Sequence, residues 1–161
     1  MRRRKMTFEI VLVEPEIPPN TGNIARSCAT TGSVLHLVRP LGFSLDEKSL
    51  KRAGLDYWPF VKLVIHENFA SFMGAYGKRR MHIVTTKGNK NYTEASYEDG
   101  DMLIFGKETE GLPARFIEEN KEKTIRIPMR PQTALRSLNL ANSVSIVLFE
   151  ALRQTGFSGL K

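Results

Sequence analysis

Six short apolar runs, spaced along the chain and each followed by a helix-like or turn-like stretch, constrain the fold more than any other feature. They are "FEIVLV" (8–13), "VLHLVRP" (34–40), "FVKLVI" (60–65), "MHIVTT" (81–86), "DMLIFG" (101–106) and "TIRIP" (124–128). Each is too short for a buried helix and is rich in residues that favour a strand. Helix signals fall between them. Asn20 can cap a helix running to about Thr31 and closed by Gly32, with Pro18 and Pro19 holding the chain extended before it. Ser44 and Glu47 have capping-box spacing, Asn68 precedes "FASFMGAYG", and Pro113 suits a first helical position. A long helix is predicted over about 138–153, where Leu140, Val144, Val147, Leu148, Ala151 and Leu152 follow the helical period. Strands alternating with helices predict an α/β fold with a mostly parallel sheet between helices. The longest irregular stretch, 87–100, reads as a surface loop near a site.

The chain has 161 residues, a single-domain length. Residues 1–7 form a basic tail and 8–161 one domain. The formal charge is +7; without Arg2, Arg3, Arg4 and Lys5 there remain 20 basic against 17 acidic residues, or +3. The folded part is mildly basic, a balance that favours polyanion partners, and the tail reads as solvated. One cysteine, Cys28, rules out an internal disulfide and suits a reducing cytoplasm. No apolar run has membrane-spanning length, and no signal-peptide core follows the first charges. His36, His66 and His82 show no ligand spacing with one another or with Cys28, so no metal site is expected.

Three segments are candidates for chemistry. In "PEIPPNTGNIARSC" (15–28) there is neither a Walker loop nor a dinucleotide fingerprint. Thr21, Gly22 and Asn23 can still offer backbone N–H groups at a helix start, with Arg26 within two turns, an arrangement that favours an anion. A capped helix with a surface arginine explains the same residues. In "LIFGKETEGLP" (103–113), Gly106 ends a strand and permits close approach of a ligand, and Glu108 and Glu110 can accept hydrogen bonds. An ordinary strand-to-helix turn fits equally. In "IPMRPQTALRSLNLANSVSIVLFEAL" (127–152), Ser137, Asn139, Asn142 and Ser143 crowd one helix start, and capping accounts for one or two of the four. Cys28 reads as a small buried residue, and Tyr57 and Trp58 as core-edge aromatics rather than base-stacking platforms.

In this order, "PPNTGNIARSC", "LIFGKETEGLP" and "IPMRPQTALRSLNLANSVSI" resemble the three motifs of the SPOUT-superfamily RNA 2′-O-methyltransferases. The likeness extends through "RPLGFSLDEKSLKRAGLDYW" and "VTTKG", from about residue 8 to 156. Within the superfamily the chain is most similar to the small TrmL-type (YibK-type) enzymes that methylate the wobble ribose of tRNA. The resemblance implies an α/β knot fold with a C-terminal trefoil knot. It implies S-adenosylmethionine as cofactor, bound by Val84, Gly106, Ile127 and Ser137. It implies a homodimer, paired through the first and last helices, that binds tRNA with both subunits. It makes Arg26 the catalytic arginine, with Asn20 and Asn139 supporting it, and makes Asn23, Arg130 and Arg136 RNA contacts. An arginine stays protonated, so Arg26 is better suited to stabilising an alkoxide or gripping a phosphate than to acting as a base. Lys107 stands where many relatives have proline, and Phe149 where some have tyrosine. Two other readings remain: the same chemistry on another RNA such as ribosomal RNA, and an RNA-binding dimer without turnover.

Overall fold

The computed structural model describes residues 7–52, 58–131 and 137–161. Among the described residues, seven strands form one sheet: β1 (Glu9–Val13), β2 (Val34–Val38), β3 (Lys62–His66), β4 (Met81–Val84), β5 (Lys90–Asn91), β6 (Met102–Phe105) and β7 (Thr124–Arg126). Their spatial order is β3-β2-β1-β6-β4-β7-β5, and every pairing is parallel. Five α-helices accompany them among the described residues: α1 (Pro18–Thr31), α2 (Glu47–Arg52), α3 (Phe69–Tyr76), α4 (Ala114–Glu119) and α5 (Leu140–Gln154).

Alternation along the strands sends side chains to two cores. Ile10, Leu12, Leu35, Leu37, Leu103 and Phe105 pack beneath α1 and α5, against Ile24, Cys28, Val144, Val147 and Leu148. Val11, Val13, Val38, Ile83, Met102 and Ile104 pack on the opposite face against Phe72, Leu112 and Phe116. A parallel sheet covered on both faces needs largely apolar central strands, and β1, β2, β4 and β6 are that; the edge strands β3 and β5 carry Lys62, Lys90 and Asn91. The predicted α/β class and sheet are therefore present. Cys28 is fully buried, and burial pushes its thiol up to about 12.

Local expectations fare differently. Helix α1 begins at Pro18, two residues before the predicted cap, and Gly32 closes it with a left-handed φ of 72°. The two prolines are helical, not extended, because the first turn of a helix asks for no N–H donor and proline's fixed φ suits it. Asn20 is consequently inside the helix and 7 % exposed. At α2 the capping oxygen comes from Asp46, whose carboxylate accepts the Ser49 N–H at 2.8 Å. The predicted end of that helix near Gly54 lies outside the described residues. Stretch 87–100 contains β5, a two-residue edge strand in register with Ile125 and Arg126.

Two of the three histidines meet. Adjacent parallel strands β2 and β3 carry His36 and His66 in ring-stacked contact, Nδ1 to Nε2 2.9 Å. Phe72 and Tyr76 of α3 pack edge-on against both rings. Burial, then the neighbouring His36, holds His66 below the usual histidine range. This pair fills the α3 face of the sheet; among the described residues no group of three or more His, Cys, Asp or Glu could hold a metal ion.

Candidate functional site

Neighbouring strands β6, β4 and β7 end together, and the chain turns off the sheet at each end. Val84 is the last residue of β4, Gly106 follows β6, and Ile127 follows β7. A cavity of about 630 Å³ opens above them. Its apolar wall includes Val84, Phe105, Ile127, Leu138 and Leu140; its polar side includes Thr85, Glu108, Ser137, Asn139 and Ser143. The carboxyl ends of parallel strands are where open α/β sheets bind ligands, and this volume suits a nucleoside-sized group.

Gly106 owes its glycine to the chain itself. A Cβ there would fall on the backbone of Gly111 and Leu112. The turn 106–111 folds back tightly, with an isolated bridge between Lys107 and Gly111, and Gly111 adopts a φ of 68°. Close approach at Gly106 is thus by a neighbouring turn of backbone, and the turn shapes the cavity wall.

Glu108 is engaged within the protein. One carboxylate oxygen accepts the Glu16 N–H at 2.8 Å, and the other accepts the Ile17 N–H at 3.0 Å and Asn20 Nδ2 at 3.3 Å. Asn20 Oδ1 in turn accepts from Asn139 Nδ2 at 3.0 Å. The Asn139 side-chain oxygen, Oδ1, accepts the Ala141 and Asn142 N–H groups and caps α5. One polar chain therefore joins residues 108, 20 and 139, one from each candidate segment. Beside it, Glu14 chiefly, with Glu110, raises the Lys107 ammonium above the usual lysine range. Lys107 is a fixed positive charge at the cavity rim.

The structure brings Val84, Gly106, Ile127, Ser137, Asn20 and Asn139 to one cavity. It does not bring Arg26, Asn23 or Arg130 to that wall. Arg26 and Asn23 are exposed on α1, Arg26 about 9 Å along the helix axis from Asn20. Arg130 is exposed beyond β7, and Arg136 lies outside the described residues. Trp58 packs against the core edge, whereas Tyr57 is not described. Sequence reasoning missed Glu16 and Thr109, whose side chains meet across the same turn, Thr109 Oγ1 to Glu16 Oε1 2.6 Å. Their only sequence signal is polarity just past two strands; their adjacency depends on the β1–β6 pairing.

Residues 7–149 match the model of the SpoU rRNA Methylase family. The tRNA (cytidine(34)-2′-O)-methyltransferase of Methylovorus glucosotrophus (strain SIP3-4) is 50 % identical over 153 residues, covering 94 % of this chain and 98 % of that protein. The protein of the same description from Escherichia coli (strain K12) is 51 % identical over 153 residues, covering 94 % and 96 %. A solved structure concerned with the 2-OH methylation of C/U34 on tRNA superposes with a TM-score of 0.85 at 45 % identity, covering 94 % of this chain and 97 % of its own.

Proposed function

The chain belongs to the SpoU rRNA Methylase family, and from that premise we propose that it methylates the ribose 2′-hydroxyl of the wobble nucleotide of tRNA, cytidine or modified uridine 34, with S-adenosylmethionine as methyl donor. The observation that carries the reading is the hydrogen-bonded chain Glu108–Asn20–Asn139, which gathers three distant segments at one cavity. The near-full-length relatives supply the RNA and the position.

The cavity fits the donor in size and chemistry: apolar walls for an adenine ring, and polar groups at the strand ends for ribose and amino acid. Val84, Gly106, Ile127 and Ser137 would hold it. When bound, S-adenosylmethionine supplies a methyl on a positively charged sulfur, open to attack by an oxygen nucleophile. The remaining work falls to this chain. It must hold the ribose oxygen in line with that methyl and accommodate the negative charge that grows on oxygen as its proton leaves. Arg26 is not in the wall of this chain's own cavity, so in this reading it meets that charge, or the phosphate beside it, in the assembled dimer with RNA bound; a guanidinium keeps its proton and grips oxyanions in a fork. Asn20 and Asn139 fix the start of α1 and so the helix that carries Arg26. Asn23, Arg130 and Arg136 supply RNA contacts, which a small basic protein makes mostly to phosphate.

The working form in this reading is a homodimer. Phe149 and Phe157, 46 % and 42 % exposed on and just after α5, support pairing of two copies along that helix. Among the described residues no helix is long and apolar enough to cross a membrane. A single buried Cys28 accords with the cytoplasm, where tRNA is found.

The test is methyl transfer to total tRNA followed by nucleoside mass spectrometry. The expected product is a 2′-O-methylated nucleotide at the wobble position. A product confined to ribosomal RNA would overturn the substrate, and none on any RNA would overturn the activity. Arg26→Ala is expected to lower kcat by about 10²–10³-fold, the usual loss on removing one preorganised oxyanion donor. Donor affinity, measured by calorimetry, should change less than about twofold. Equal loss of both would make Arg26 a structural residue.

A further inference from the structure

Segments 14–17 and 107–109 leave the sheet side by side, because Leu12 and Phe105 are paired in register on adjacent parallel strands. They are tied in both directions. The Glu108 carboxylate takes the N–H groups of Glu16 and Ile17 and the Asn20 amide. The Glu16 carboxylate takes the Thr109 hydroxyl at 2.6 Å. Lys107 Nζ lies 3.6 Å from the carboxylate of Glu14, a residue held at a left-handed φ of 53° while its N–H donates to the Val38 carbonyl at 2.9 Å. A non-glycine residue keeps that conformation only where its surroundings fix it.

Helix α1 depends on this exchange. Its N-cap, Ile17, makes no side-chain capping bond, and its first two residues are prolines without an N–H. The negative charge that favours a helix N-terminus comes from Glu108, across the turn. The start of the helix is thus anchored to the loop that lines the cavity. Glu16, unlike Glu108 and Thr109, is not part of the cavity wall.

We propose that Glu16 and Thr109, together with Glu108, form a two-way latch that makes the cavity loop 106–111 and the start of α1 one mechanical unit. Filling the donor cavity then steadies Asn20 and the helix bearing Arg26, and RNA held by that helix steadies the donor loop. Glu16 is a positioning residue, acting through Thr109. The inference rests on the methyl-transfer reading above. Coupling of this kind is reciprocal: each ligand strengthens the other by the same factor.

The experiment compares Glu16→Ala with Glu16→Gln, which keeps an acceptor oxygen for the Thr109 hydroxyl. Amide hydrogen exchange is followed with and without S-adenosylmethionine. In the wild type and in Glu16→Gln, the donor should slow exchange in both 106–111 and 14–24; in Glu16→Ala the slowing in 106–111 should persist and that in 14–24 should be clearly smaller, since the Glu108 bonds to Glu16 N–H, Ile17 N–H and Asn20 remain. Donor affinity should rise at least about fivefold when already-methylated product tRNA is present, a typical coupling factor, and by less than about twofold in Glu16→Ala. The kcat of Glu16→Ala should fall about tenfold, with donor affinity in the absence of RNA nearly unchanged. Thr109→Val, which alters no charge, must reproduce this pattern, and Thr109→Ser must reverse it. The latch is overturned if exchange in 14–24 responds to donor equally in Glu16→Ala and wild type, or if Glu16→Gln loses as much as Glu16→Ala. A wild type that methylates no RNA refutes the functional reading instead; the exchange comparison needs no RNA and still decides the latch.

Discussion

At the scale of single residues, the site depends on side chains and on one absence of a side chain. Asn20 uses both ends of its amide: the nitrogen goes to Glu108 and the oxygen receives Asn139. It cannot flip without losing both bonds, so its orientation is fixed by its partners. Gly106 has the opposite character. Only the missing Cβ lets the turn 106–111 close on itself. The atoms that a Cβ would meet are backbone, which cannot swing aside. Gly106→Ala should therefore destabilise the fold by about 1–3 kcal/mol, the usual range for overpacking, and should weaken donor binding as the wall moves. Thermal unfolding and calorimetric titration of the donor check the two effects. An alanine variant with wild-type melting and affinity would mean that the turn yields freely.

Among the elements, α5 shows how structure and site share a residue. Val144, Val147, Leu148 and Ala151 are fully buried against the sheet, and each fully buried aliphatic side chain of valine or leucine size contributes about 1.5–3 kcal/mol. The start of α5 is held by Asn139 Oδ1, while Asn139 Nδ2 reaches Asn20. Two substitutions separate these tasks. Asn139→Ala removes cap and link together, and should cost about 1 kcal/mol of stability as well as activity. Asn139→Asp keeps an excellent cap but faces the Asn20 oxygen with a second acceptor. It should melt close to wild type while its kcat falls at least about tenfold. Parallel melting curves and single-turnover methylation distinguish them; full activity in Asn139→Asp would make the residue a cap alone. Helix α1 shows the converse, an element with no side-chain cap whose entry, at Glu16 and Ile17, is anchored by Glu108 of a neighbouring loop.

For the whole molecule, buried polar clusters beneath the strands set the response to acid. Asp101 is 2 % exposed. Burial alone would raise its carboxyl. The His82 hydrogen bond at 2.8 Å, the Glu98 N–H and the Arg80 guanidinium outweigh burial and hold it below the usual range. Glu9 is likewise held low: burial opposes, and His36 and Arg79 prevail. His66 is depressed as well. In all three the folded state binds protons less readily than the unfolded chain. Their stabilisation is present above the unfolded values and is lost as pH falls through the folded ones. Melting temperature should decline from about pH 6.5 as His66 is forced to charge, then more steeply below about pH 4.5 as Glu9 and Asp101 take up protons. Asp101→Asn should lower melting at pH 7 and flatten the steeper step. Calorimetry across pH 3.5–7.5 reads both, and an unchanged acid slope in Asp101→Asn would remove Asp101 from the account.

The sequence by itself determined the class of fold and the raw material of the site. Period-two and period-3.6 patterns are local, so the alternation of strands with helices, the apolar face of α5, the Gly32 stop and the Asn68 cap were all legible. So were the segments that meet at the cavity, because glycines, prolines and clustered Asn and Ser mark turns wherever they stand. Contact between segments was not legible. Glu108 read as an acceptor for a ligand or for the protein itself, and which of the two it serves was open; it is bonded to Glu16, Ile17 and Asn20. His36 and His66, 30 residues apart, touch. Asn20 looked like a cap and is a buried joint between loop and helix. In each case a deciding partner is carried by a different strand or the turn that follows it, and only the order β3-β2-β1-β6-β4-β7-β5 makes those segments neighbours. A parallel sheet joins strands through crossovers, so the adjacency that builds the cavity is a property of the assembled sheet and of no segment in it.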